Sequence, residues 1–137
     1  MEYNKDKRTK NLTLHDIHVG DWVQVWSDAT ERYSPPRKIT QICDDGTVYL
    51  EGSDEGRPIL WVENIKNVDA LEITRELLGG FGFEVIPDAF AKDKYNVFWG
   101  GREICDFYFF QYFHELMFYM YDMFPLSLKL EWKGVQS

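Results

Sequence analysis

Ten of the chain's eighteen Phe and Tyr residues fall between Phe107 and Phe124, and that concentration limits what the second half can become. From Phe113 the apolar residues recur at Phe113, Leu116, Met117, Met120, Tyr121 and Phe124. This is the i, i+3, i+4, i+7 spacing of one helix face. Pro125 follows and cannot continue the ladder. The spacing therefore predicts a helix over 111–124, preceded by a strand whose alternation runs through Cys105–Phe110. Burying each large apolar side chain is worth roughly 1.5–3 kcal/mol, so this helix should anchor its half of the core. Phe118 and Tyr119 carry apolar surface to other faces. Something must cover them, either the first half of the chain or a second copy in a homodimer.

A membrane span is the wrong reading of this stretch. Gln111, His114, Glu115 and Asp122 interrupt it, and each acid would cost on the order of 2.5–3.5 kcal/mol at mid-bilayer. No apolar run follows the N-terminal charges, so no signal peptide and no membrane association are expected. Cys43 and Cys105 sit in unrelated segments and read as free thiols of a reducing cytoplasm.

The remaining chain is cut into short pieces by turn signals. Trp22–Trp26 alternates, with Val23 and Val25 facing one way and Trp22, Gln24 and Trp26 the other. Arg37–Cys43 and Thr47–Glu51 flank Asp44-Asp45-Gly46, a hairpin signal. Ile39 and Ile42 stand three apart, which breaks the two-residue period and predicts a bulge. A turn at Gly52–Arg57, a strand at Pro58–Val62, a helical turn at Glu63–Lys66 and a last strand at Asn67–Leu71 complete the first half. Five short strands with one helical turn before the last have the layout of an SH3-like small barrel.

After Glu72 the pattern changes. Thr74 reads as a helix N-cap with Glu76 in the first turn, and Gly79 or Gly80 as the stop. Pro87–Asp93 reads as a polar loop, and Lys94–Trp99 and Arg102–Phe110 as strands joined at Gly100-Gly101. Leu126, Leu128, Leu130 and Trp132 alternate with polar residues in what reads as a half-buried strand. The expected fold is α+β: residues 1–11 a disordered tail, 12–71 an SH3-like β-barrel lobe, and 72–137 an α-β-β-α-β lobe packed against it.

Val19-Gly20-Asp21-Trp22-Val23, the helix opening Ile73-Thr74 with Glu76 and Leu78, the following Gly82-Phe83, and Tyr112-Phe113-His114-Glu115-Leu116 occur in that order. The combination resembles a group of small proteins of gut Bacteroidales genomes and their phages and mobile elements. It departs from them at Met117-Phe118-Tyr119, where polar residues are usual. The resemblance implies phage or mobile-element origin and supplies no catalytic residue.

Reactive constellations are weak. His114-Glu115 lacks the second His of a zinc helix, because position 118 is Phe. His15, His18 and Cys43 lack a fourth ligand, and Cys105 reads as strand packing rather than a thiolate paired with His114. Gly79–Gly82 closes a helix instead of opening one on a phosphate. Asp44-Asp45-Gly46 and Asp54-Glu55-Gly56 stop short of a calcium loop. No cofactor and no metal are expected. Trp22, Trp26, Tyr49 and Trp61, rimmed by Tyr33, form the candidate binding surface. Exposed, they would suit a Pro-rich or methylated peptide; otherwise they pack against the second half.

Net charge bears on partners. Four bases and two acids in residues 1–10 give +2, so the rest carries −10 of the total of −8. An acidic body fits a nucleic-acid backbone poorly. The leading expectation is a non-enzymatic adaptor that binds an unidentified protein in the cytoplasm. The alternatives are nucleic-acid association through Lys5, Lys7, Arg8, Arg37 and Lys38, an acidic DNA mimic that blocks a host enzyme, and a small hydrolase.

Overall fold

The fold is that of a computed structural model, which describes residues 8–54, 57–123 and 130–134. It is α+β, with two antiparallel sheets and two helices, and divides into compact units Met1–Leu71 and Glu72–Ser137.

The first unit holds β1 (Trp22–Ser27), β2 (Arg32–Tyr33), β3 (Arg37–Ile42), β4 (Thr47–Asp54), β5 (Arg57–Asn64) and β6 (Val68–Asp69). Strand order is β2-β1-β3-β4-β5, with β6 also on β1. Strand β1 serves three neighbours in succession: Trp22 and Val23 pair with β3, Gln24 and Val25 with β6, and Trp26 and Ser27 with β2. The expected bulge is present, as a register shift between Ile39 and Gln41. At the β3–β4 turn, Gly46 adopts φ 94° and the Asp45 carboxylate accepts from Thr47 N–H at 2.9 Å. The helical turn lies at Ile65–Asn67, with Asn64 capping Lys66 N–H. Among the described residues the sheet does not close, since β5 has β4 as its only strand neighbour.

Part of the segment read as a tail makes defined contacts. Residues 8–11 are tied down: Leu12 N–H donates to Val68 O, Ala70 N–H donates to Lys10 O, and Asn11 bridges to Asp69. The cause is a buried carboxylate. Asp69 is fully buried, and burial of a charge demands partners. Arg8 and Asn11 supply them from the N-terminal segment.

The second unit runs α1 (Arg75–Gly80), β7 (Glu84–Pro87), β8 (Tyr95–Trp99), β9 (Arg102–Asp106), α2 (Phe113–Met123). Among the described residues the order is α-β-β-β-α, which adds β7 to the expected pair of strands. Strand β7 escaped the sequence reading because Pro87 suggested a loop. It is the final residue of an edge strand, opposite Tyr95, where its missing N–H costs nothing. Thr74 caps α1 as expected, accepting from Leu77 N–H at 3.1 Å. The chain reverses at Gly82 (φ 93°), after the helix has already taken in Gly79 and Gly80.

A further correction concerns the aromatic stretch. Strand β9 stops at Asp106, because its carboxylate accepts from Tyr108 N–H at 2.8 Å and folds the backbone into a turn. Helix α2 buries Phe113, Leu116, Met117 and Met120 but leaves Tyr121 exposed. Of the expected strand Leu126–Trp132, residues 126–129 lie outside the described residues, and Leu130–Trp132 adopt no strand. Leu130 is buried, and Trp132 packs on Phe81 with centroids 5.0 Å apart. The core of this unit gathers on Phe113, whose ring stacks on Phe81 at 4.5 Å and meets Phe83 edge-on at 6.2 Å.

Candidate interaction surface

The five aromatic residues expected to share a surface do not converge. Trp22 and Trp26 are 7% and 4% exposed, so β1 is covered on both faces. Trp26 meets Tyr33 edge-on at 4.9 Å, donates from Nε1 to Asp28 at 2.8 Å, and has the Arg8 guanidinium 5.9 Å above its ring. The Tyr33 hydroxyl donates to Asp69 at 2.7 Å and accepts from Thr9 N–H at 2.6 Å. Burial, then the hydrogen bond to Asp69, pushes its pKa up.

The other two sit on opposite faces of one hairpin. Trp61 is opposite Leu50, and Tyr49 is opposite Val62, and directly paired residues share a face. The Arg37 guanidinium lies 3.9 Å from the Trp61 ring centroid. It reaches there across Gly52, where a Cβ would come within 2.7 Å of Arg37 Cδ.

Exposed aromatic side chains gather in the second unit, at one end of its sheet. Strand β7 ends there, β8 begins, and β9 ends. Phe90 is fully exposed, and Tyr108 and Phe109 are 68% and 70% exposed. Two carboxylates hold the loops that carry them. Asp88 accepts from Phe90 N–H at 2.8 Å, Ala91 N–H at 2.9 Å and the Asn96 amide at 2.9 Å. Those bonds, the Asn96 amide foremost, lower its pKa to about 2. The Asp106 carboxylate accepts from Tyr108 N–H at 2.8 Å, and Asp106 stands opposite Asn96 in the ladder. Asp88 N–H donates to Lys94 O at 2.9 Å, Phe107 N–H donates to Tyr95 O at 2.9 Å, and Lys94 Nζ is 3.9 Å from Asp106.

Each loop thus uses an Asp whose side chain holds the backbone two residues on, and that second residue is an aromatic facing water. Asp88-Ala89-Phe90 and Asp106-Phe107-Tyr108 were readable as such in the sequence. The strand alternation imposed on 102–110 concealed the second. Phe110 links this end to α2, its ring 5.4 Å from Tyr119. On α2 only half of the expected self-association pair faces water: Phe118 is 66% exposed, while the Tyr119 hydroxyl donates to Ile104 O at 3.4 Å.

Burial, followed by Asp106 and Glu103, pushes the Cys105 thiol up to about 11, away from thiolate chemistry at neutral pH. Among the described residues no three His, Cys, Asp or Glu side chains are placed to hold a metal ion. His18 Nδ1 lies 3.5 Å from Asp21, and His15 is exposed. Of the cations considered for phosphate contact, Arg8 is committed to Asp69 and Arg37 is buried against Trp61; Lys5 and Lys7 lie outside the described residues. A recess of about 380 Å³ opens between Phe81, Gly82, Trp99, Gly100, Glu131 and Lys133. Two aromatic rings, one acid and one base are among its lining. Among the described residues no helix is long and apolar enough to cross a membrane.

Comparison with protein-family models, with curated proteins and with solved structures finds no match.

Proposed function

We propose that this protein is a non-enzymatic interaction module that engages a protein partner through the sheet end carrying Phe90, Tyr108 and Phe109. One observation carries the reading: three large aromatic side chains stand in water on loops whose backbones are fixed by Asp88 and Asp106. Aromatic residues dominate the energetics of protein interfaces, and an anchor held in place before binding loses little entropy on docking. The N-terminal unit is read as SH3-like. Support comes from the β3–β4–β5 meander, the helical turn after it, and the return of β6 onto β1. A cytoplasmic setting accords with two cysteines left as free thiols.

The test is quantitative capture from the source cell. Phe90→Ala and Tyr108→Ala should each leave the circular dichroism spectrum and Tm unchanged, because both side chains face water. Each should weaken partner retention at least about tenfold, the loss expected for an interface anchor. A partner retained equally by both variants, or turnover of a substrate abolished by Cys105→Ser or His114→Ala, would falsify the reading.

A further inference from the structure

Strand β5 has an unusual burial pattern for its composition. Leu60 and Val62 are 76% and 61% exposed, while Ile59, Trp61 and Glu63 on the other face are half-buried. Its outer edge has no strand neighbour among the described residues. An eight-residue edge strand with two aliphatic side chains in water is a template for pairing with another strand.

Pro58 identifies which backbone groups face outward. It is opposite Ser53 and has no N–H to give β4, so it occupies a pair without ladder bonds to β4. By alternation Leu60 and Val62 also direct their N–H and C=O groups away from β4. The exposed aliphatic side chains and the unpaired backbone groups therefore belong to the same residues.

We infer that β5 pairs antiparallel with β5 of a second copy, with the two-fold axis at Leu60. Leu60 then faces Leu60 of the other copy, Val62 faces Pro58, Trp61 faces Ile59, and Glu63 faces Arg57. Leu60 N–H and C=O exchange two bonds across the axis, and each Val62 N–H donates to the opposite Pro58 carbonyl. Charge selects this register. Arg57 and Glu63 are the two charged residues of the strand, and centring on Leu60 sets each against its opposite at both ends. Centring on Ile59 sets Arg57 against Trp61, and centring on Trp61 sets Glu63 against Ile59, so neither register pairs the two charges. Glu63 is already oriented, since its Oε1 accepts from the Asn67 amide at 3.0 Å. This interface is built from residues of the first unit, and the aromatic sheet end from residues of the second.

Sedimentation equilibrium of the full chain tests the arrangement. The wild type should show a concentration-dependent dimer. Leu60→Lys, at an exposed position, should give a monomer with an unchanged circular dichroism spectrum, because two cations would meet on the axis. Arg57→Glu and Glu63→Arg should each weaken the dimer about tenfold, since each change acts twice across the axis. The double variant, R57E with E63R, should restore it to within about threefold. A wild type that stays monomeric overturns the inference. So does a dimer that survives Leu60→Lys, or one that Phe118→Asp dissociates while Leu60→Lys does not.

Discussion

The Arg8 guanidinium closes on the buried Asp69 carboxylate with two nitrogens, Nε at 2.8 Å and Nη2 at 2.5 Å. Asp69 also accepts from Tyr33 and Asn11. The pair joins the start of the described chain to the last strand of its unit. Removing one member of a buried pair leaves the other uncompensated, at a typical cost of about 3–5 kcal/mol. Because Tyr33 and Asn11 remain, Arg8→Ala should lower unfolding free energy by about 3 kcal/mol, at the bottom of that range. Adding Asp69→Asn should recover part of the loss, since the buried charge then disappears. Urea unfolding of the three proteins measures this; a deletion of residues 1–11 with unchanged stability would contradict it.

Gly79 and Gly80 occupy consecutive positions in α1 and should respond oppositely to alanine. A Cβ at Gly80 would overlap the Trp132 ring, which packs on Phe81, while a Cβ at Gly79 meets nothing within 4 Å. Gly80→Ala should therefore expel Trp132, costing about 1–3 kcal/mol, and shift its emission to the red. Gly79→Ala should be neutral or add up to about 1 kcal/mol through helix propensity. Thermal unfolding and tryptophan fluorescence, with Trp132→Phe as reference, separate the two.

Local chemistry was legible wherever one residue type enforces one backbone shape. Thr74 as a cap, the turn at Gly46, and the bulge between Ile39 and Gln41 were all read from the sequence and are all present. Long-range partnership was not. Nothing near Arg8 in sequence announces Asp69, so residues 8–11 looked like a tail. Period-two alternation also cannot say how many faces of a strand are covered. That is why the sequence left open whether Trp22 and Trp26 were available, whereas β1 is covered on both sides. The two Asp-x-aromatic loops were present in the sequence, but only the ladder between Asn96 and Asp106 brings them to one end.

Cys105 should be a slow thiol. Its pKa of about 11, set by burial and then by Asp106 and Glu103, leaves about a hundredth of the thiolate of an ordinary cysteine at pH 8. Alkylation of Cys105 in the native protein should be about a hundredfold slower than in the urea-unfolded chain. The raised value also has a stability consequence. The folded state holds this proton more tightly, so stability declines as pH rises from about 9 towards 11. Equal alkylation rates in folded and unfolded protein would contradict a raised thiol pKa at this half-buried position.

The loop that presents Phe90 should open in acid, and Asp88 fixes where. Its folded pKa is lowered from 3.8 to about 2 by the Asn96 amide and by the N–H groups of Phe90 and Ala91. A depressed carboxylate stabilises the fold fully above its unfolded value and loses that contribution as pH falls through the folded one. The window is therefore from about pH 4 down to about pH 2. Across it, hydrogen exchange at Phe90 and Ala91 should accelerate beyond the ordinary pH dependence of exchange, while Leu77, capped by the Thr74 hydroxyl, should not. Asp88→Ala should show fast exchange at those two amides at every pH, which removes the acid transition. It should also weaken partner retention at neutral pH without altering the aromatic residues. If Asp88→Ala frees the loop yet binding is unchanged, Phe90 does not depend on being held in place before docking.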